Sequence, residues 1–103
     1  MEKILVTGAS GFLGQELLKK LKFKKVNFFS RKKIKAYKNH NSIICDLRNK
    51  KKLIKKIKEI KPTLIYHLAW YKIPEFNKKN FNENIKITKN LVEAINMIKC
   101  KKY

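Results

Sequence analysis

The three glycines of this chain all lie in one stretch, VTGASGFLG, which covers residues 6–14. A β-branched, apolar run over residues 3–7 predicts a strand before them, and apolar residues at helical spacing over 12–21 predict a helix after them. The first turn of a helix has unpaired N–H groups that bind phosphates. We therefore expect Gly8 to allow a tight turn, Gly11 to let a pyrophosphate approach the backbone, and Gly14 to let the helix pack closely. Ser10 and Thr7 would add hydroxyl donors.

The rest of the chain alternates in the same way. Apolar runs predict further strands at 26–30, 42–45 and 63–68. Helical spacing predicts helices at 47–60, ended by Pro62, and at 80–99. Residues 31–41 form a polar link. This order predicts one α/β domain over 1–103, a partial doubly wound Rossmann-type fold with four parallel strands, truncated before a fifth.

The charge of +20, from 27 basic and 7 acidic residues, is unusual. It is typical of a nucleic-acid or anionic-membrane partner, but also of a lysine-rich composition bias. The lysines are spread along the chain, so we expect no nucleic-acid partner. Cys45 and Cys100 have no metal-site spacing, and we expect no metal. Two distant cysteines form no disulfide framework, which fits a reduced, cytoplasmic setting. We find no signal peptide or membrane-spanning run and expect no membrane partner.

TGASGFLG resembles the TGxxGxxG motif of the short-chain dehydrogenase/reductases, and its GFLG form resembles their extended branch, the NAD-dependent epimerase/dehydratases. Asp46-Leu47 is similar to the family's pair near the adenine. PTLIYHLA at 62–69 resembles its fourth strand, and NIKITKNLVEA at 84–94 a later helix. The resemblance implies an NAD(P) site formed by Gly8, Ser10, Gly11, Phe12, Leu13, Gly14, Ser30, Arg31, Asp46, Leu47, Leu68, Ala69 and Trp70.

The residue that reads the ribose lies at the end of the second strand, roughly 20 residues past the first glycine. An acidic residue there would bind the 2′-hydroxyl of NAD, but this chain has Ser30 followed by Arg31. A guanidinium can hold a 2′-phosphate in a bidentate manner. We therefore expect a slight preference for NADP, in which Arg31 recognises the 2′-phosphate and Ser30 assists. The alternative is a solvated basic loop.

The resemblance implies a nucleotide-sugar substrate, in a full-length form, and catalysis by a Tyr-x-x-x-Lys motif beyond a fifth strand. Tyr103 is not followed by such a lysine, so we assign no catalytic residue and expect no turnover by the chain alone. The helix over 80–99 is similar to one at the family's homodimer interface. Trp70 and Ile87 depart from the small residues usual at their positions. Two alternatives are a standalone NADP-binding module and, less favoured, a basic nucleic-acid binder.

Three further polar residues have more than one interpretation. His67, in the fourth predicted strand, is interpreted as structural rather than as a catalytic base. Asp46 is expected to cap the helix starting near Leu47 as well as to contact adenine. Asn84 resembles a helix asparagine that supports proton relay in the superfamily, although a buried polar position or a surface position explains it equally well.

Overall fold

A computed structural model describes residues 3–9, 11–68 and 78–98, with side chains from residue 82 onward in the last helix. The strands are β1 (Ile4–Thr7), β2 (Val26–Ser30), β3 (His40–Ile44) and β4 (Leu64–His67). The helices are α1 (Phe12–Lys20), α2 (Lys50–Ile60) and α3 (Lys78–Ile98). The fold class predicted from the alternating pattern is confirmed.

All four strands are parallel and form one sheet in the order β3-β2-β1-β4. The chain runs outward from β1 through β2 to β3, then returns to place β4 on the other side of β1. Thr7 is in register with Phe29 on one side and with His67 on the other. The carboxyl ends of the four strands therefore lie at one edge of the sheet. The strand order reverses between β1 and β4. In doubly wound sheets, ligands bind at this kind of switch point.

Alternate residues of the buried strands face two separate apolar clusters, as expected for a sheet covered on both sides. On one face, Leu5, Phe29 and Ile65 pack with residues of α2 and α3. On the other, Val6 and Phe28 pack with Leu18 of α1 and with partly buried residues that include Ile34 of the 31–39 link. Helices α2 and α3 pack on each other beneath the first face. Both core clusters thus hold β1 at the centre of the molecule.

Several boundaries and orientations differ from the sequence-based expectations. Strand β3 begins at His40 rather than residue 42, and α2 begins at Lys50 rather than near Leu47. The helical spacing of apolar residues over 80–99 predicts that Ile85 faces inward, but it is 49% exposed. Ile85 belongs to the apolar stripe that helical spacing predicts. However, α2 and the sheet cover only part of that stripe, and Ile85 lies outside that part. Ile87, by contrast, is buried in the core beside Leu91.

Candidate functional site

The glycine turn at the end of β1 is shaped by two glycines with different roles. Gly8 has a φ of 76°, in the left-handed region that side chains disfavour. A Cβ on Gly14 would lie 2.0 Å from the Gly8 carbonyl oxygen and 2.7 Å from Cα of Ala9. Helix α1 therefore contacts the turn itself, more closely than any residue with a side chain would allow. The roles predicted for these two glycines agree with this geometry.

Gly11 stands at the N-cap of α1 with a φ of −78°, and it is open to its surroundings. A Cβ at Gly11 would contact only the Gly8 carbonyl oxygen, at an ordinary 3.5 Å. Because glycine has no side chain, no side-chain group at the N-cap occupies the N–H groups at the start of α1. Phe12 and Leu13 are 81% and 67% exposed, so they do not belong to the apolar face of α1. The backbone at the start of α1 is thus exposed, as a phosphate site requires.

The end of β2 brings Ser30 and Arg31 to the same edge. Ser30 is buried, and its hydroxyl donates a hydrogen bond of 2.5 Å to the carbonyl oxygen of Lys32. This bond holds the turn in which Arg31 projects as an exposed residue. Arg31 lies near enough to Asp46 to help lower the pKa of its carboxyl. Arg31, the residue predicted to recognise the ribose, therefore lies beside the end of β3.

The turn after β3 is built around the carboxylate of Asp46. Its Oδ1 accepts a 2.9 Å hydrogen bond from the backbone N–H of Arg48, and its Oδ2 accepts one of 2.7 Å from Nη2 of Arg48. These bonds lower the pKa of Asp46 below its ordinary value. The expected helix cap at Asp46 is wrong, because Asn49 caps α2 by accepting a hydrogen bond from the N–H of Lys52. Asp46 instead organises the turn that precedes the helix.

Leu47 and Leu68 contribute mainly backbone atoms to the carboxyl edge of the sheet. The Leu47 side chain is buried in the core under α2 and α3, and its carbonyl oxygen accepts a 3.2 Å hydrogen bond from Nδ2 of Asn90. The half-buried Leu68 follows β4, and its N–H donates to the carbonyl oxygen of Thr7. Three other predicted site residues lie outside the described residues: Ser10, Ala69 and Trp70.

His67 is held on both sides by hydroxyl groups. Its Nδ1 lies 2.6 Å from Oγ1 of Thr7, and its Nε2 lies 3.1 Å from Oγ1 of Thr88. A neutral imidazole donates at one nitrogen and accepts at the other, so both contacts suit the uncharged ring. Burial lowers the pKa of His67, which favours the same form. This supports the structural interpretation of His67, whose partner on β1 is the hydroxyl of Thr7.

Two residues at this edge were not predicted from the sequence. Arg48 follows Asp46 by two positions, a spacing that allows a side chain to fold back over a turn. Asn90 reaches the Leu47 carbonyl from α3, 43 residues away, and nothing in the local sequence indicates that contact. Asn84 is buried, in agreement with one of its two interpretations. Among residues 3–9, 11–68 and 78–98, no cluster of three or more His, Cys, Asp or Glu could hold a metal ion.

A family model, the NAD dependent epimerase/dehydratase family, matches residues 4–103. The chain belongs to this family. This membership agrees with the glycine turn and with the parallel sheet. No curated protein matches the sequence. In the part of the chain that the structure describes, no helix is long and apolar enough to cross a membrane.

Solved structures share the fold of this family member. L-threonine dehydrogenase from Clostridium difficile is 27% identical, with a TM-score of 0.81 over 99% of this chain and 35% of its own. WbmH from Bordetella bronchiseptica, solved with NAD+, is 17% identical, with a TM-score of 0.81 over 97% and 36%. UDP-N-acetylglucosamine 4-epimerase from Bacillus cereus is 23% identical, with a TM-score of 0.78 over 98% and 33%. The chain spans about a third of the length of these proteins.

Proposed function

We propose that this chain is the NAD(P)-binding portion of an oxidoreductase similar to the nucleotide-sugar epimerases, dehydratases and reductases. The observation that carries the proposal is the glycine turn. Gly8 and Gly14 bring the start of α1 against the end of β1, and Gly11 leaves the backbone open. Such a surface suits a pyrophosphate, because N–H donors and the positive end of the helix dipole point at the same place.

The edge around that turn fits the other parts of a dinucleotide. The end of β2, with Ser30 and Arg31, lies on one side of the turn, and the end of β3, with Asp46, lies beyond it. The end of β4 lies on the opposite side, at the switch point. An adenosine half extending over β2 and β3 would leave the nicotinamide near β4. When bound, the nicotinamide would supply hydride transfer.

Within this function, a preference for NADP over NAD follows from the end of β2. Arg31 is exposed there, and no carboxylate occupies its position or that of Ser30. A 2′-phosphate would gain a charge-assisted contact with the guanidinium. Asp46 also lies nearby, and its negative charge reduces this gain. The net preference is therefore expected to be small.

Substrate, assembly and location are also proposals. A nucleotide sugar and a homodimer would belong to a full-length form, and turnover would need the Tyr-x-x-x-Lys motif that residues 1–103 do not contain. A cytoplasmic location suits this cofactor. These proposals follow the family membership and the relatives that act on nucleotide sugars, such as the Bacillus cereus UDP-N-acetylglucosamine 4-epimerase.

The test is a titration of the chain with NADPH and with NADH at about 0.15 M salt, where the lysine-rich surface is screened beyond roughly 8 Å. Saturable binding of both, with tighter binding of NADPH, is the expected result. Arg31→Ala should weaken NADPH binding and leave NADH binding unchanged. Lys32→Ala, which removes a neighbouring exposed charge, is the control. Equal dissociation constants would contradict the NADP preference, and absence of saturable binding would contradict the function.

A further inference from the structure

A cavity of about 500 Å³ lies at the amino edge of the sheet, opposite the edge that carries the glycine turn. We call it the amino-edge cavity, and the polar residues that line it are Lys3, Lys25, Asn27, Asn41, Lys56 and Glu59. Because β1 is four residues long, the two edges are about 13 Å apart. Small-molecule sites have volumes of this order. The amino-edge cavity is therefore a candidate binding site separate from the glycine turn.

Lys3 and Lys25 lie side by side at this edge. Each immediately precedes its strand, and the residues that follow them, Ile4 and Val26, are in register in the sheet. Neighbouring strands are about 4.8 Å apart, so two positive charges at these positions repel each other. Both residues line the same cavity. An anion bound between them would relieve this repulsion, and the pair therefore favours a negatively charged ligand.

The third lysine of the cavity comes from α2. Lys56 is half-buried, and its Nζ lies 3.8 Å from Oε2 of Glu59. Three lysines and one glutamate give the lining of the cavity a charge of +2. The C-terminal end of α2, at Ile60, carries a partial negative charge of about one half, which reduces this positive potential without reversing it. The balance of charge therefore suits a dianion.

Two asparagines lie on the sheet face that α2 covers, where the strands otherwise carry apolar residues. Asn27 is half-buried two residues before Phe29 of the core, and Asn41 is its partner in register on β3. Nδ2 of Asn41 donates a 3.2 Å hydrogen bond to Oδ1 of Asn27. Within the described ranges, neither side-chain amide makes another hydrogen bond, so Nδ2 of Asn27 can donate to a ligand and Oδ1 of Asn41 can accept. Hydroxyl groups, which both donate and accept, suit this pair.

The remaining wall of the cavity is apolar. Ile43 and Ile60 line it, and both pack against the core cluster beneath α2 and α3. An apolar wall beside a few polar groups is usual in small-molecule sites, because it contacts the carbon skeleton of the ligand. Inorganic phosphate would use the lysines and leave this wall and the asparagines without a partner. A ligand that uses the whole cavity has a phosphate, hydroxyl groups and a carbon skeleton.

We infer that the amino-edge cavity binds a small phosphorylated polyol, such as a sugar phosphate. Lys3, Lys25 and Lys56 hold the phosphate, because a phosphate monoester carries close to two negative charges at neutral pH. Asn27 and Asn41 bind hydroxyl groups of the polyol. This site lies at the other end of the strands from the glycine turn, and the inference does not depend on the proposed dinucleotide function.

The test is a nitrogen-15 NMR titration at about pH 7.5 and about 0.15 M salt. It follows the side-chain amide signals of Asn27 and Asn41, which report on this cavity and not on the glycine turn. Glucose 6-phosphate should shift these signals saturably, with a dissociation constant of about 1 mM or lower. Inorganic phosphate should bind at least about threefold more weakly, since it lacks the polyol. Glucose should cause no saturable shift.

Lys25→Met should weaken the binding of glucose 6-phosphate about threefold, because it removes one charge of the adjacent pair. Lys55→Met is the matched control, since it removes an exposed lysine of α2 that does not line the cavity. Its dissociation constant should equal that of the wild type. Asn27→Leu, followed through the Asn41 signals, should reduce the affinity for glucose 6-phosphate to that for inorganic phosphate. Should Asn27→Leu fail to fold, the two lysine variants decide the result.

Absence of a saturable shift, or equal weakening in Lys25→Met and Lys55→Met, would overturn the inference and leave the dinucleotide function intact. Equal affinity for glucose 6-phosphate and inorganic phosphate would overturn the polyol assignment. A short RNA and vesicles of phosphatidylglycerol, titrated in the same way, present phosphates on a larger surface. Tighter binding of either than of glucose 6-phosphate would assign the lysines to that polyanion and would also overturn the inference.

Discussion

A Cβ on Gly14 would lie 2.0 Å from the carbonyl oxygen of Gly8. The clash is with backbone on the turn, and Cα of Ala9 stands 2.7 Å away on the same side. Because backbone atoms cannot rotate aside as a long side chain does, α1 would have to move off the turn. The position is therefore restricted to glycine by packing, whether or not a ligand binds.

Gly14→Ala should lower the free energy of unfolding by about 3 kcal/mol or more, through overpacking against the turn. Urea denaturation followed by circular dichroism gives this value. Gly11→Ala is the matched control, because its methyl group would meet only an ordinary contact. Equal stability of Gly14→Ala and the wild type would contradict the close approach of α1 to the turn.

Asn49→Ala should destabilise the protein by about 1 kcal/mol, since Asn49 accepts from the N–H of Lys52 at the start of α2. Lys51→Ala, in the same helical turn and exposed, should change stability by less than about 0.5 kcal/mol. The measurement is the midpoint of urea denaturation for the two variants. A larger effect at Lys51 than at Asn49 would show that α2 begins elsewhere.

The stability of the protein should fall as the pH falls from about 7.5 to about 5.5, in part because of His67. Burial lowers the pKa of His67, so below the ordinary histidine pKa the unfolded chain binds a proton that the folded chain does not. Asp46 and Glu93 act in another range, because their pKa values are lowered and their contributions disappear only as those carboxylates protonate.

His67→Gln keeps a side chain that can both donate and accept, but it does not titrate. Urea denaturation at the two pH values should show a smaller loss of stability in this variant than in the wild type. The slope attributable to His67 is at most about 1.4 kcal/mol per pH unit for one proton. An identical pH dependence in the two proteins would show that His67 is not the group responsible.

The fold could be predicted because its strands are short apolar runs bounded by glycine, polar and proline residues. The start of α2 could not, because Asp46 and Asn49 are both good capping residues. The choice between them depends on Arg48, which engages the Asp46 side chain. The periodic pattern also overestimated the buried face of α1, where Phe12 and Leu13 point away from the core.

The residues of the candidate site also differ in how well they could be predicted from the sequence. Gly8, Gly11 and Gly14 could be identified because a backbone turn has a local sequence signature. The contact between Asn90 and Leu47 spans 43 residues, and that between Thr7 and His67 spans 60. Such contacts depend on which strands and helices become neighbours, and that information is not local. Residues that orient the site are therefore harder to predict than those that form its backbone.

The most direct measurement is calorimetric titration of NADPH into the wild type and Gly11→Ala at about 0.15 M salt. The added methyl group has room in the folded chain but would stand where a pyrophosphate approaches. We predict saturable binding by the wild type, at least about tenfold weaker binding by Gly11→Ala, and a loss of stability of no more than about 1 kcal/mol from the changed N-cap. Equal affinity in the two proteins, or no saturable binding by the wild type, would contradict a dinucleotide site at the glycine turn.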